Sequence, residues 1–180
     1  MRILGYRATH TLIEEGACPW RDRPARARDL LEKWLTDRYD FKAVDDFDYI
    51  GSLFFPIFRE IDRAFPDSLF ILTVRDPAAW LVSIRRFMKG YRHASAAGPL
   101  DLNIGMVIRL GILGHLMTTD DSKLLAAFEA HNEAVLSHFG SSRRLLVIDI
   151  CRGEGWKEIC TFLGSSVPAV PFPHANKAAS

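Results

Sequence analysis

Cysteine is scarce in this sequence. Cys18, Cys151 and Cys160 are the three among 180 residues, and they fit no metal-ligand spacing. An odd, sparse set excludes a disulfide scaffold and reads as reduced thiols in a cytosolic protein. Charge of one sign is also lacking: 23 Lys and Arg stand against 22 Asp and Glu, a formal net charge of +1. That balance implies no bulk field for nucleic acid or a membrane surface, so any anion must be bound locally. No apolar run suits a bilayer. The most apolar long window, residues 104–117, contains Arg109 and His115 and reads as a buried helix or a lid. The opening MRILGYRATH is too short and too polar for a signal peptide. There is no internal repeat and no low-complexity linker. Gly153 and Gly155 are not followed by Lys-Ser or Lys-Thr, so they mark a turn and not a phosphate cradle.

What is present is the composition of a soluble globular protein, 48% hydrophobic and 25% charged. The length suits one domain, residues 1–180, with a sizeable core. Residues 1–4 read as the last turn of a helix stopped by Gly5. Residues 11–24, with Gly16, Pro19 and Pro24, read as loop, and Leu30, Leu31, Trp34 and Leu35 mark one face of a helix over 24–39. FKAVDD, residues 41–46, reads as a short strand, and LFFPIFREIDRAF, residues 53–65, as a helix with Pro56 in its first turn. Leu69–Val74 shows no alternation, which predicts a strand covered on both faces, as in a parallel sheet. Asp76 then suits an N-cap and Pro77 the first helical position. Trp80, Leu81, Ile84, Phe87 and Met88 recur at helical spacing up to a stop at Gly90. Residues 92–103 read as loop. Helical patterns follow over 104–117 and 121–139, a second buried strand over 144–149, and a short helix in GWKEICTFLG closed by Gly164. Pro168, Pro171 and Pro173 exclude regular structure from the tail. Strands alternating with helices predict an α/β layered fold with a mostly parallel sheet.

In such sheets ligands bind outside the carboxyl ends of the strands. Arg75 stands at that end of Leu69–Val74, where a helix begins. Backbone N–H groups and the positive end of the helix dipole lie there, and an arginine adds a bidentate anion clamp. Ser83, eight residues on, reaches the same anion only if the helix runs past it. The structural alternative is a surface ion pair of Arg75 with Asp76 or the tail, worth under about 1 kcal/mol.

The segment VRDPAAWLVS resembles the 3′-phosphate-binding segment of sulfotransferases that use 3′-phosphoadenosine 5′-phosphosulfate (PAPS). FPDSLFILTVRD, WLVSI, AHNEAVLSHF, RLLVIDICRGEGWKEICTFLG and VPAVPFPHANK come in the order found in bacterial members of that family. The resemblance covers most of the chain. It implies a three-layer, P-loop NTPase-like α/β fold, PAPS as sulfuryl donor, adenosine 3′,5′-bisphosphate as product and no metal. It implies that Arg75 and Ser83 hold the nucleotide's 3′-phosphate, and that a hydroxyl or amine on a small molecule, glycan or lipid accepts the sulfuryl group. The family also carries a Lys- or Arg-Ser-Gly-Thr loop that grips the 5′-phosphosulfate, between a strand and a helix. MRILGYRATH resembles the end of that helix, and no such loop occurs in these 180 residues. By the resemblance, the domain is N-terminally incomplete and lacks the central strand of its sheet. Two outcomes are open, direct pairing of Leu69–Val74 with Leu145–Ile150 or a gap between them; the expectation favours the gap, with instability or self-association to cover it, and little or no transfer activity.

Other residues carry weaker signals, and the sequence names no catalytic residue. Asp45, Asp46 and Asp48 follow a strand and read either as a general base near the cleft or as a cap with solvated acids. His10 follows the first helix and is a candidate for the acceptor site. His131 reads as a structural hydrogen bond. His174, Asn176 and Lys177 lie in a tail that either folds onto the nucleotide or packs on the surface. Trp80 and Trp156 read as core. Two other functional readings stand beside the transferase. One is a non-catalytic nucleotide- or partner-binding protein on the same scaffold. The other is a P-loop kinase relative, against which the absent Walker loop argues.

Overall fold

A computed structural model describes residues 1–9, 47–51, 57–95 and 120–173. The expected helices over 24–39 and 104–117 and the strand over 41–46 lie outside these residues. Among the described residues there are four short strands and four α-helices: β1 (Ala8–Thr9), β2 (Tyr49–Ile50), α1 (Phe58–Ala64), β3 (Phe70–Thr73), α2 (Pro77–Ser95), α3 (Asp121–Phe139), β4 (Leu145–Ile148) and α4 (Trp156–Leu163). Both strand pairs, β1–β2 and β3–β4, are parallel. No described helix is long and apolar enough to cross a membrane.

The expectation of a gap between the two apolar strands is not met. β3 and β4 pair directly, with Phe70 opposite Leu145 and Thr73 opposite Ile148. Phe70 N–H donates to the Arg144 carbonyl and Val74 N–H to the Ile148 carbonyl, so the ladder extends past both ends of β3. The reason is backbone satisfaction, since each buried amide or carbonyl left unpaired costs about 1–3 kcal/mol. Direct pairing removes that cost along the edge that each strand turns to the other.

The side chains follow the pleat. Phe70, Leu72, Val74 and Leu145 share one face and pack with Phe58 of α1 and Val135 and Phe139 of α3. The Phe70 and Phe139 rings lie 4.6 Å apart. Ile148, on the opposite face by alternation, is 1% exposed, and α4 lies against β4. The strands that the uninterrupted apolar runs predict are therefore present, but they are only partly covered: Leu72 and Ile148 are buried, while Thr73 and Val147 are exposed.

Local chemistry accounts for the element ends. Gly5 (φ 84°) ends a 3-10 turn at Arg2–Leu4, as the sequence predicts. Asp120 caps α3, accepting from Ser122 N–H at 3.0 Å and Lys123 N–H at 3.4 Å. The end of α2 differs from expectation: the helix passes Gly90 and runs to Ser95. A single interior glycine costs only about 1 kcal/mol, and it stops a helix when it turns left-handed, which Gly90 does not. Residues 165–173 are irregular, as their prolines require, but they are anchored. Trp156 Nε1–H donates to the Val170 carbonyl at 3.0 Å, and Phe172 sets its ring 4.9 Å from Trp156. Position 155 admits no side chain there, because a Cβ would meet the Phe172 ring at 2.8 Å.

One charge network ties α1, α3 and the start of β4 together. Asp62 accepts from Arg144 Nη1 and lies 2.8 Å from His138 Nε2, and its side chain is 15% exposed. The Arg144 guanidinium, with help from His138, holds the Asp62 carboxyl below the usual carboxylate range. Because the folded-state value is depressed, this stabilisation is present above the unfolded pKa of about 3.9 and is lost as pH falls through the lower folded value. The melting-temperature difference between wild type and Asp62→Asn should be full at pH 6–7 and shrink progressively below about pH 4. A difference independent of pH would show that the carboxylate charge does not stabilise the fold.

Candidate active site

The β3–β4 pairing makes both strands end at one edge, and two different turns leave them there. After β4 the chain folds back on itself. The Asp149 carboxylate accepts from Cys151 N–H at 2.9 Å and lies 3.5 Å from Arg152, while Asp149 N–H donates to Glu154. Gly153 takes the left-handed conformation (φ 93°). This is the closed turn expected of Gly153 and Gly155. Its amides serve the turn's own acids.

After β3 the chain opens into a helix. Asp76 Oδ1 accepts from Ala79 N–H at 2.8 Å, and the Asp76 carbonyl accepts from Trp80 N–H at 2.8 Å. Asp76 is thus the cap and Pro77 the first helical residue, as the sequence predicts. Arg75 sits between the last ladder bond and this cap. It is half-buried, and its Nε is shielded from solvent with no hydrogen-bond partner among the described residues. The alternative of an Arg75–Asp76 ion pair is not realised, since the Asp76 carboxylate is turned to the helix amide. A buried guanidinium N–H without an acceptor is costly unless something anionic completes it.

The orientation of α2 is fixed from its other side. Trp80, Leu81 and Ile84 pack against Leu124 of α3, which is 1% exposed. The Trp80 ring stacks on Phe128 at 4.4 Å. Arg85 forms an ion pair with Asp121 in the first turn of α3. Residues 36 positions apart leave no mark in the sequence, so this tie is visible only in the fold. With that side turned to α3, Ser83 is left exposed. It lies about 9 Å along the helix axis from Pro77, a separation that an extended arginine and a bridging phosphate can span.

The remaining candidates separate clearly. Asp48 is held by Arg7, whose backbone N–H donates at 2.8 Å and whose Nη2 lies 3.1 Å away. These bonds keep its carboxyl below the usual range, which makes it a weak base. His131, half-buried on α3, meets the Phe58 ring edge-on, and burial followed by the Arg59 charge lowers its pKa. It is therefore a neutral packing residue at pH 7. Trp156 is buried and Trp80 half-buried, as core residues should be. His10, Asp45, Asp46, His174, Asn176 and Lys177 lie outside the described residues. Among the described residues no group of His, Cys, Asp and Glu is arranged to hold a metal ion.

The whole chain, residues 1–180, matches the sulfotransferase domain family, and it belongs to that family. It is also similar to a protein named Ava biosynthesis cluster protein M from Aspergillus versicolor, at 25% identity over 134 residues. That match covers 64% of this chain and 48% of the relative, so the chain spans about half the length of the curated relative it matches.

Replacing the cap tests the local architecture of the site. Asp76→Ala should cost about 0.5–2 kcal/mol in denaturant unfolding, as for other N-cap losses. An unchanged midpoint would show that Asp76 does not hold the start of α2.

Proposed function

We propose that this protein acts in sulfuryl transfer from PAPS, with Arg75 and Ser83 receiving the nucleotide's 3′-phosphate. The observation that carries this reading is the shielded, unpartnered Nε of Arg75 at the carboxyl end of β3, beside the start of α2. Membership of the sulfotransferase domain family supports it, because a nucleotide with a 3′-phosphate supplies the anion that Arg75 lacks. Ser83 contributes a neutral hydroxyl donor from the second turn of the same helix.

In the reaction, the acceptor oxygen or nitrogen attacks sulfur in line with the bond to the 5′-phosphate. The new bond to sulfur forms as the sulfur–oxygen bond to that phosphate breaks, and adenosine 3′,5′-bisphosphate leaves. The acceptor proton passes to a base. Charge builds on the leaving phosphate, and positioned cations must neutralise it, each such donor being worth about 10²–10³ in rate. Arg75 and Ser83 fix the far end of the nucleotide and so set where sulfur sits. They do not touch the breaking bond. These 180 residues contain no Lys- or Arg-Ser-Gly-Thr loop, so nucleotide binding is expected to exceed turnover. The acceptor is a hydroxyl or amine, and the relative named for a biosynthesis cluster favours a small molecule.

Calorimetry with adenosine 3′,5′-bisphosphate tests the site. Arg75→Ala should weaken binding by about 1.5–3 kcal/mol, the range for hydrogen bonds to charged groups, and Ser83→Ala by about 0.5–1.5 kcal/mol. Adenosine 5′-monophosphate, without the 3′ group, should bind wild type no better than the bisphosphate binds Arg75→Ala. Equal affinity of wild type and Arg75→Ala for the bisphosphate would remove the site.

A further inference from the structure

Two adjacent arginines on α2 are used differently. Arg85 is on the side turned to α3 and is bound to Asp121. Arg86 is about 100° further around the helix. It is exposed and has no hydrogen-bond or ion-pair partner among the described residues. Its neighbours on the surface are Val82, four residues back, and Ser83, three back. Val82 is 64% exposed and Ser83 is exposed, so no described residue covers this side of the helix.

We infer that Arg86 is a third contact to the nucleotide's 3′-phosphate, acting with Arg75 and Ser83. This inference rests on the reading of those two residues given above. The direction of the side chain supports it. Helical Cα–Cβ bonds tilt toward the N-terminus, so a long side chain covers the turn before its own. For Arg86 that turn holds Val82 and Ser83, and its charge is carried toward Arg75. Asp76, the nearest acid in sequence to Arg75, has Oδ1 on the Ala79 amide and makes no ion pair with either arginine among the described residues. Two guanidinium groups drawn to one anion beside a hydroxyl would favour a compact dianion. A phosphomonoester, with about −1.5 to −2 charges at pH 7, matches them better than a singly charged diester.

The test uses the 180-residue chain as wild type, Arg75→Ala, Arg86→Ala and Arg86→Lys. Each is titrated with adenosine 3′,5′-bisphosphate and with adenosine 5′-monophosphate. Arg86→Ala should weaken the bisphosphate about 3- to 5-fold at low salt, as for an exposed charge pair. It should leave the monophosphate unchanged, and Arg86→Lys should keep most of the affinity. The Arg86 effect should fade toward about 1 M salt, where the screening length is about 3 Å. The Arg75 effect should persist there, because its Nε is shielded. If Arg75→Ala weakens the bisphosphate and Arg86→Ala does not, the Arg86 contact is wrong and the site stands. Equal weakening of both nucleotides by Arg86→Ala also overturns the contact, since it reveals only a general field. If neither variant matters, both the contact and the site fall.

Discussion

Direct parallel pairing of β3 with β4 is the constraint on which the described structure depends. It satisfies the backbone groups on the shared edge of both apolar segments and sets Thr73 opposite Ile148. The two strands therefore end side by side, and the chain leaves each at the same edge. A slip of one residue would move Phe70 and Leu72 off the face that meets Phe58, Val135 and Phe139. The packing of α1 and α3 on one face and of α4 against β4 thus holds the register. The register in turn places Arg75 at the edge.

The two exits from that edge show how small differences in local chemistry separate a self-contained turn from one that leaves a guanidinium N–H unpaired. After β4, Asp149 and Glu154 consume the nearby amides. After β3, the single acid Asp76 is used up in capping α2. Arg75 follows the same kind of apolar run that ends in Asp149, yet it is left without an acceptor. An arginine in that state is the one we propose for the anion. The same guanidinium paired with a carboxylate, as Arg144 is with Asp62, is a brace.

A formal net charge of +1 conceals this local imbalance. Arg7 is matched by Asp48, Arg85 by Asp121, and Arg144 by Asp62. Those pairs join elements distant in sequence and leave Arg75 and Arg86 on one stretch of chain. A nearly neutral protein can thus leave individual cations without a carboxylate partner. No excess of basic residues is needed.

The sequence by itself determined the local elements. Uninterrupted apolar runs specified strands at β3 and β4, Asp76-Pro77 specified where α2 begins, and Gly164 specified where α4 ends. Arg75 was legible as a candidate because a cation directly after a buried strand has one location in an α/β sheet. Two-residue strands such as β1 and β2 are too short to show a period, so they were not legible. Gly90 misled because a glycine's effect on a helix depends on its backbone angle, which composition does not state. Only the tertiary structure decided that β3 and β4 pair with each other. Strand partners are chosen by long-range hydrogen bonding and packing, and both strands present the same apolar pattern to any neighbour. It also decided which charges are paired. Asp121 and Arg85, or Asp62 and Arg144, become neighbours only after the helices dock.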